Sequence, residues 1–587
     1  MGSIVGFTLT QGLPPAEVEL ALAAQRRVVS AFDDVHSLSL AVGGSRLDLW
    51  GRGDLSDRVQ RLADGSVLAL VGSPHGRVSW RDVTFTQLPA GRSQDFELPW
   101  DGRVILLGVG VDGQQWVLWT DWVGSIPVFH GRRGAGRIAS TLEPVVIAAT
   151  RPSADDIFLP GLVSLLINGH FLADWTLFEH IRVVPADSVT EWTGDSVRSR
   201  CLWTVKPSKD RYETAWDELV DEMSALSQRA ITDTLKTAPS WVLPLSGGLD
   251  SRLIATVGAD LGVDLHAYAW GPARSVDVVH SRDVARALHI PWTHIDLGTA
   301  YLQRYTQRWA AWFGSSLHFH GMYQMAFLDA IAREPPGPVV SGFLGDVLTS
   351  ASLHLHTDPD ACQIYDEWYR HWTADEVRTL LRVPLDGVLE RVGAEIGAQL
   401  GSLPGTTFQK AALFELWTRQ HLFTSFHPTL ADYWRGAADP FLNRAYARFC
   451  LSLPRAALDG QRLLGDVYRR HHTRLATIPG TYADEPLIRT GRYLSKRRLA
   501  ALLPAALRRG PLRGFRTVPP RMDIECVQAN GWKALWPLEE TRSRLPAWLD
   551  VSQVDEAYRA VMASKKDMRP LRKLQSVQAL ALQLLDR

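Results

Sequence analysis

The run Trp241-Val242-Leu243-Pro244-Leu245 opens directly into Ser246-Gly247-Gly248-Leu249-Asp250-Ser251, and the residues beyond it repeat with the period of a helix. A short apolar run, a glycine turn and an amphipathic helix in that order begin a βαβ unit, which requires a parallel sheet covered by helices. Pro244 places the end of the run at the close of a strand or at an edge, because proline has no N–H to give to a ladder. Leu253, Ile254, Val257 and Leu261 fall on one helical face, and Gly262 supplies the stop. Alternating Val263, Leu265, Ala267 and Ala269 before Gly271-Pro272 predict the second strand. Asp277, Ser281, Val284, Ala285 and Leu288 mark another helix, followed by a strand-like Thr293-His294-Ile295-Asp296-Leu297. The expected class is α/β.

The glycine turn carries chemistry as well as shape. Adjacent glycines let backbone approach a ligand, Ser246 and Ser251 offer hydroxyls, and a helix start presents unpaired N–H groups at a positive dipole end. A di- or triphosphate fits such a loop. No G-x-x-x-x-G-K-[ST] occurs in the chain, and an acid, Asp250, stands in the turn. A lone carboxylate among phosphates is repelled, so Asp250 is assigned to Mg2+ shared with ATP. Ligands of open α/β sheets bind at the carboxyl ends of strands, which makes Ala269 and Trp270 the expected adenine or ribose contacts. Val339-Val340-Ser341-Gly342-Phe343-Leu344-Gly345-Asp346 is a second strand emptying into a glycine turn that ends on an acid. This turn resembles the second metal loop of asparagine synthetases, and the resemblance implies that Asp346 shares the metal and that Leu245, Gly342 and Phe343 line the same nucleotide site. The bland alternative makes Asp346 an Asx-type turn residue. Gly43-Gly44-Ser45-Arg46-Leu47-Asp48 shows how cheaply part of the first pattern arises.

Ser-Gly-Gly-Leu-Asp-Ser resembles the signature of the ATP pyrophosphatases (PP-loop enzymes), and the second turn resembles the S-G-x-G-[SG]-D-E loop of asparagine synthetases. Asp439-Pro440-Phe441-Leu442-Asn443 and Leu451-Ser452-Leu453-Pro454 resemble two further landmarks of the synthetase domain. The resemblance runs from residue 206 to about 480, with departures. Leu344 stands where the family has Gly, Val347 where it has Glu, and Asn443 where it has Asp. The family's lysine element has no clean counterpart: Leu503-Pro504-Ala505-Ala506-Leu507-Arg508-Arg509 matches its start only, leaving an Arg or Lys496 to supply the cation.

Between Val104 and Ser140 the chain reads as short alternating strands, and residues 119–129 carry Asp121, Gly124 and Pro127 in a pattern that resembles the D-x-x-G-x-x-P element of class II glutamine amidotransferase domains. Those domains use an N-terminal cysteine, whereas this sequence begins Met1-Gly2-Ser3-Ile4. The expectation is a structural amidotransferase-like sandwich over residues 1–205 and a synthetase domain over 206–587, with an amine donor other than glutamine-derived ammonia.

That pairing resembles the β-lactam synthetases and the lasso peptide cyclases, and the second is favoured. Extra sequence from Trp368 to Phe408 and beyond Arg489 offers walls for a larger cavity, and Phe414-Glu415-Leu416-Trp417-Thr418-Arg419-Gln420 looks like the Arg-bearing helix of lasso cyclases. Phe343 occupies the approximate place of the β-lactam synthetases' tyrosine. Glu415 is either a general base or a solvated helix acid. The resemblance implies ATP-dependent joining of an Asp or Glu side-chain carboxyl to the N-terminal amine of a precursor peptide, with a leader-binding protein and a leader peptidase as partners. An amide ligase acting on a small molecule, and a non-catalytic nucleotide- or peptide-binding relative, are the alternatives.

Composition narrows the rest. The 63 basic and 63 acidic residues balance, so no global field argues for nucleic acid. No apolar stretch reaches the length of a membrane span and no signal-peptide pattern opens the chain, so a cytoplasmic enzyme is expected. Cys201, Cys362, Cys450 and Cys526 lack metal-ligand spacing and read as reduced thiols. His318 with His320 and His354 with His356 are weak metal candidates without acid or cysteine partners. Lys496-Arg497-Arg498 reads as a solvated basic face or a phosphate contact. The leucine-rich residues 571–585 read as core or subunit contact, and the 22 tryptophans as core filling or a grip for a peptide.

Overall fold

The computed structural model describes residues 3–75, 99–314, 321–332, 334, 337–349, 371–481, 486–488, 522–535, 545–563 and 567–585. Lys496 and its basic run, the two His-x-His pairs, Cys362 and residues 503–509 lie outside them.

Among the described residues, two six-stranded antiparallel sheets fill the N-terminal part. In the first, the strand Ser3–Gln11 runs between Ser45–Arg52 and Gly136–Ser140; in the second, Asp101–Val109 runs between Val67–His75 and Gln115–Thr120. Alternation along these strands sends Phe7, Leu9, Leu47, Leu49, Ile105, Leu107 and Leu118 into one shared core, the packing expected of a sandwich. Trp116 closes that core, its indole N–H donating to Ser45 Oγ at 2.9 Å. The helices Pro15–Val29 and Glu143–Thr150 pack together beside the first sheet.

The C-terminal part is built on a five-stranded parallel sheet in the order Trp292–Ile295, Asp264–Trp270, Ser240–Pro244, Val339–Val340, Ala437–Ala438. Ser240–Pro244 is central and buried, as its apolar run requires, and Pro244 does fall at its last position. The protein is thus mixed α/β, an antiparallel N-terminal sandwich joined to a C-terminal parallel sheet.

One expectation changes at the element level. Leu261 is 42% exposed and caps the helix Leu249–Asp260 instead of joining its apolar face, because Gly262 at φ +65° turns the chain out just there. Of the extra sequence after Trp368, the described helices Ala374–Leu380 and Val388–Ser402 pack against the N-terminal helix Leu159–Asn168, so this part buttresses the two halves. The large tryptophans Trp50, Trp116, Trp119, Trp309 and Trp372 are core. The helix Arg569–Leu585 likewise buries Leu571, Leu574, Val577 and Leu580. No helix among the described residues is long and apolar enough to cross a membrane.

Candidate active site

The carboxyl ends of the five parallel strands bring the sequence-predicted groups to one edge. After Ser240–Pro244 the chain turns through Ser246, Gly247 and Gly248 into the helix Leu249–Asp260. Ser246 Oγ accepts the Gly248 N–H at 3.1 Å and lies 3.1 Å from Ser251 Oγ, which also accepts the Ser246 N–H at 3.2 Å. The two hydroxyls therefore knit the turn to the helix's first turn, whose own N–H groups have no intrahelical acceptors.

Residues that sequence reading passed over fix this loop from behind. Arg252 is fully buried and donates to the carbonyls of Gly247 (3.0 Å), Leu475 (3.1 Å), Ile478 (3.0 Å) and Pro479 (2.7 Å). Asp277, at the start of the helix Val276–Leu288, accepts the Gly247 N–H at 3.2 Å and the Thr481 hydroxyl at 2.7 Å. Thr481 N–H returns to Gly247 O at 3.2 Å. A glycine loop alone is floppy; this one is held by the Arg252 guanidinium, which also bonds Pro479 O 227 residues along the chain, by the Asp277 carboxylate and by the Thr481 N–H.

The second turn closes on the first. Ser341 N–H donates to Ala438 O at 2.9 Å, Phe343 N–H to Ser341 Oγ at 3.0 Å, and Gly345 N–H to Gly342 O at 3.0 Å, delivering Asp346 into the first turn of the short helix Gly345–Leu348. A Cβ on Gly345 would stand 2.7 Å from Asp250 Cγ, so glycine is the residue that lets the two acidic turns meet. Burial first, and the neighbouring Asp346 charge second, push the Asp250 carboxyl well above the ordinary range. Burial first raises the phenols of Tyr446 and Tyr468, with Cys450 and Asp250 adding at Tyr446 and Arg252 opposing Asp250 at Tyr468, and the Tyr468 hydroxyl donates to Leu249 O at 2.7 Å.

The departures from the synthetase pattern have local structural readings. Leu344 holds φ +71°, a left-handed conformation that glycine adopts without cost, and keeps it with its side chain 1% exposed. Val347 lines a mostly apolar pocket with Leu348, Phe408, Ala412, Leu416 and Cys450, Gln409 being its one polar side chain apart from the thiol, so a glutamate there would be costly to bury. Asn443 caps the helix Arg444–Cys450 and also donates to Asp101 Oδ2 at 2.9 Å.

The remaining sequence-predicted residues divide. Ala269 and Trp270 end the strand beside the loop; the Trp270 ring lies 4.3 Å from Phe327 and 5.8 Å from Tyr323 between centroids. Leu245 is buried, its N–H donating to Tyr268 O at 2.8 Å, and Gly342 and Phe343 form the second turn. Glu415 is not a solvated helix acid: it is buried, accepts from Gln420 Nε2 at 3.1 Å and pairs with Arg419 at 3.5 Å. It ends the helix Thr407–Glu415, ahead of a π-helical stretch, Leu416–Thr424. Lys496, outside the described residues, has no position here. Among the described residues no three His, Cys, Asp or Glu side chains gather as a metal set.

Asp250 and Asp346, the residues that would hold a metal here, offer only oxygen ligands and too few for a closed cage. That fits Mg2+ held jointly with ligand phosphates, since Mg2+ commonly takes one or two carboxylates and completes its shell from substrate and water.

No protein-family description matches the sequence, and no curated protein matches it. Solved structures similar to the chain include the allosteric regulatory enzyme of purine biosynthesis (8% identity, TM-score 0.22, 49% of this chain and 64% of that one). Another is glutamine phosphoribosylpyrophosphate amidotransferase from B. subtilis complexed with ADP and GMP (9% identity, TM-score 0.22, 49% of this chain and 65% of that one). A third is NMN synthetase from Francisella tularensis (14% identity, TM-score 0.19, 35% of this chain and 93% of that one). The chain spans just under two thirds of the length of the first two.

Proposed function

We propose that this protein is an ATP-dependent, AMP-forming amide ligase, and that its substrate is a peptide whose Asp or Glu side-chain carboxyl is joined to its own N-terminal amine, as in lasso peptide cyclases. The observation that carries the reading is the meeting of Asp250 and Asp346 across Gly345 at the carboxyl edge of a parallel sheet, beside a glycine turn that opens a helix. Two half-buried carboxylates in mutual repulsion are costly to the fold, and a divalent cation with phosphates offsets that cost. When bound there, Mg2+ would neutralise charge on the pyrophosphate leaving group.

The chain's own residues do the rest. First-turn N–H groups of the helix Leu249–Asp260, with Ser246 and Ser251, bind phosphate oxygens; Arg252, Asp277 and Thr481 keep those donors in place. The substrate carboxylate attacks the α-phosphorus, pyrophosphate leaves, and the amine then displaces AMP from the acyl-adenylate. Holding carboxyl and amine of one molecule together removes a bimolecular step, an effect that reaches about 7–11 kcal/mol in well-oriented systems. A precursor peptide, a leader-binding protein and a leader peptidase are the partners this reading brings with it.

The test is release of pyrophosphate and AMP from Mg-ATP with a linear peptide bearing a free N-terminus and an internal Asp or Glu, followed by mass. Loss of one water from the peptide with stoichiometric AMP supports cyclisation. AMP release with small carboxylates only would move the assignment to a small-molecule amide ligase.

A further inference from the structure

Two helices of the C-terminal half begin at the edge of the sheet that carries the acidic turns. Met322–Ala330 leads to the strand Val339–Val340, and Phe426–Trp434 leads to Ala437–Ala438. A helix that feeds a parallel strand runs back across the sheet, so each starts at the carboxyl edge, where ligands of such sheets bind. Tyr323 and His427 are the second residues of these helices, and both are half-buried. Trp270, the last residue of its strand, meets them there. Its ring stacks on Tyr323 with 5.8 Å between centroids, and the Tyr323 ring lies 6.0 Å from the His427 imidazole. Burial, and after it the charge of Asp277, raise the Tyr323 phenol, so this hydroxyl lies within the field of the carboxylate that ties down Gly247.

One proton in this group has an assignable place. Gln324 donates from Nε2 to the His427 carbonyl at 2.9 Å, which turns its amide oxygen to His427 Nδ1. A carbonyl oxygen only accepts, so Nδ1 is the protonated nitrogen, and in the neutral ring Nε2 is the base. The Tyr323 hydroxyl stands 3.4 Å from that Nε2. A second proton on the imidazole is therefore met on both sides, by the Gln324 oxygen and by the Tyr323 oxygen. Glu415, the acid that the sequence offers as a base, has its Oε1 taken by Arg419 and Gln420.

We propose that Tyr323 and His427 relay the proton of the attacking amine in ring closure, an inference that rests on the ligase reading above. As the neutral amine nitrogen bonds the acyl carbon, its proton passes to the Tyr323 oxygen and the Tyr323 proton passes to His427 Nε2. The bond from that carbon to the phosphate oxygen breaks, and AMP leaves with the electron pair. Adenylation requires no such acceptor, because its nucleophile is already a carboxylate. The pair therefore serves the second half-reaction and not the first.

The two half-reactions can be read separately. With Mg-ATP and a linear peptide bearing a free N-terminus and an internal Asp or Glu, pyrophosphate exchange into ATP reports adenylation. Loss of water from the peptide, followed by mass in a single turnover, reports closure. Tyr323→Phe and His427→Asn should each slow closure by roughly 10²–10⁴-fold, the range for a lost general base, while exchange persists. The double variant should be about as slow as the slower single one, since groups that act as a unit are not additive. Closure at the unaltered rate in either single variant overturns the proposal. So does a fall of closure and exchange by one common factor, which would make the group a nucleotide contact. Tyr323→Phe keeps the ring that stacks on Trp270, so it carries the test even where His427→Asn does not fold. Absence of exchange in the unaltered protein removes the ligase reading and the relay with it, whereas exchange with unimpaired closure in the variants removes the relay alone.

Discussion

Asp250, half-buried, and Asp439, buried, are both acids whose protons are held more tightly in the fold than in the unfolded chain, and the linkage has the same sign for both. Between the ordinary carboxyl range and the raised folded value, the folded state carries the proton and the unfolded state does not, so stability falls as pH rises. For Asp439 the window runs from the ordinary 3.8 to about 7, and the cost above it is on the order of a few kcal/mol. Urea melts of Asp439→Asn and the unaltered protein should therefore converge toward pH 4 and diverge in slope up to pH 7; parallel curves would contradict the assignment. Asp250→Asn should lower pyrophosphate formation by roughly 10²–10³-fold, by analogy with loss of one preorganised electrostatic group. Its melting temperature at pH 8 should not fall, because a carboxyl repelled by Asp346 is removed; a drop of several degrees would mean that Asp250 is structural.

At the scale of elements, the βαβ unit was legible in the sequence because its signals are local: an apolar run, a glycine turn, a 3.6-residue period. The site's framework was not. Arg252 looked like one more charged helix residue until the carbonyls of residues 475–479 were folded against it, and Asp277 like an ordinary helix-start acid until Thr481 met it. Glu415 read as solvated because its burial depends on tertiary packing; its pair with Arg419 has ordinary i,i+4 spacing, whereas its bond from Gln420, at i+5, belongs to a π-helical stretch that a 3.6-residue period does not anticipate. Leu344 tests the second turn directly. Leu344→Ala keeps the left-handed strain and loses the buried side chain, and is expected to cost about 2–5 kcal/mol; Leu344→Gly loses the same packing but relieves about 1–2 kcal/mol of strain. Chemical denaturation should thus rank Gly above Ala at this position, and the reverse order would mean that the turn is not left-handed there.

Across the whole molecule, the amidotransferase-like motif serves as a docking element. Asp121 accepts the N–H groups of Val104, Val123 and Ser125 and so forms a rigid knob. The knob meets the parallel-sheet half where Gly124 O bonds His421 Nδ1 at 2.6 Å, Trp122 O accepts from Trp417 at 3.0 Å, and Trp122 donates to Leu442 O at 2.8 Å. The motif was visible in sequence, but its partner lies 297 residues away. Gly124 holds φ +62°, and a Cβ there would stand 2.5 Å from His421 Nδ1. Gly124→Ala should destabilise the protein by about 2–4 kcal/mol in equilibrium unfolding, through strain and overpacking together. A neutral result would mean that the two halves are not clamped at this point. The central claim, that the paired acidic turns cleave ATP between the α and β phosphates to activate a carboxylate, is tested most directly by ATP–pyrophosphate exchange. With Mg2+ and a peptide carrying an internal Asp or Glu, label should pass from pyrophosphate into ATP in the unaltered protein and not in Asp250→Asn or Asp346→Asn. Exchange that survives both substitutions, or ADP as the product in place of AMP, would contradict the account.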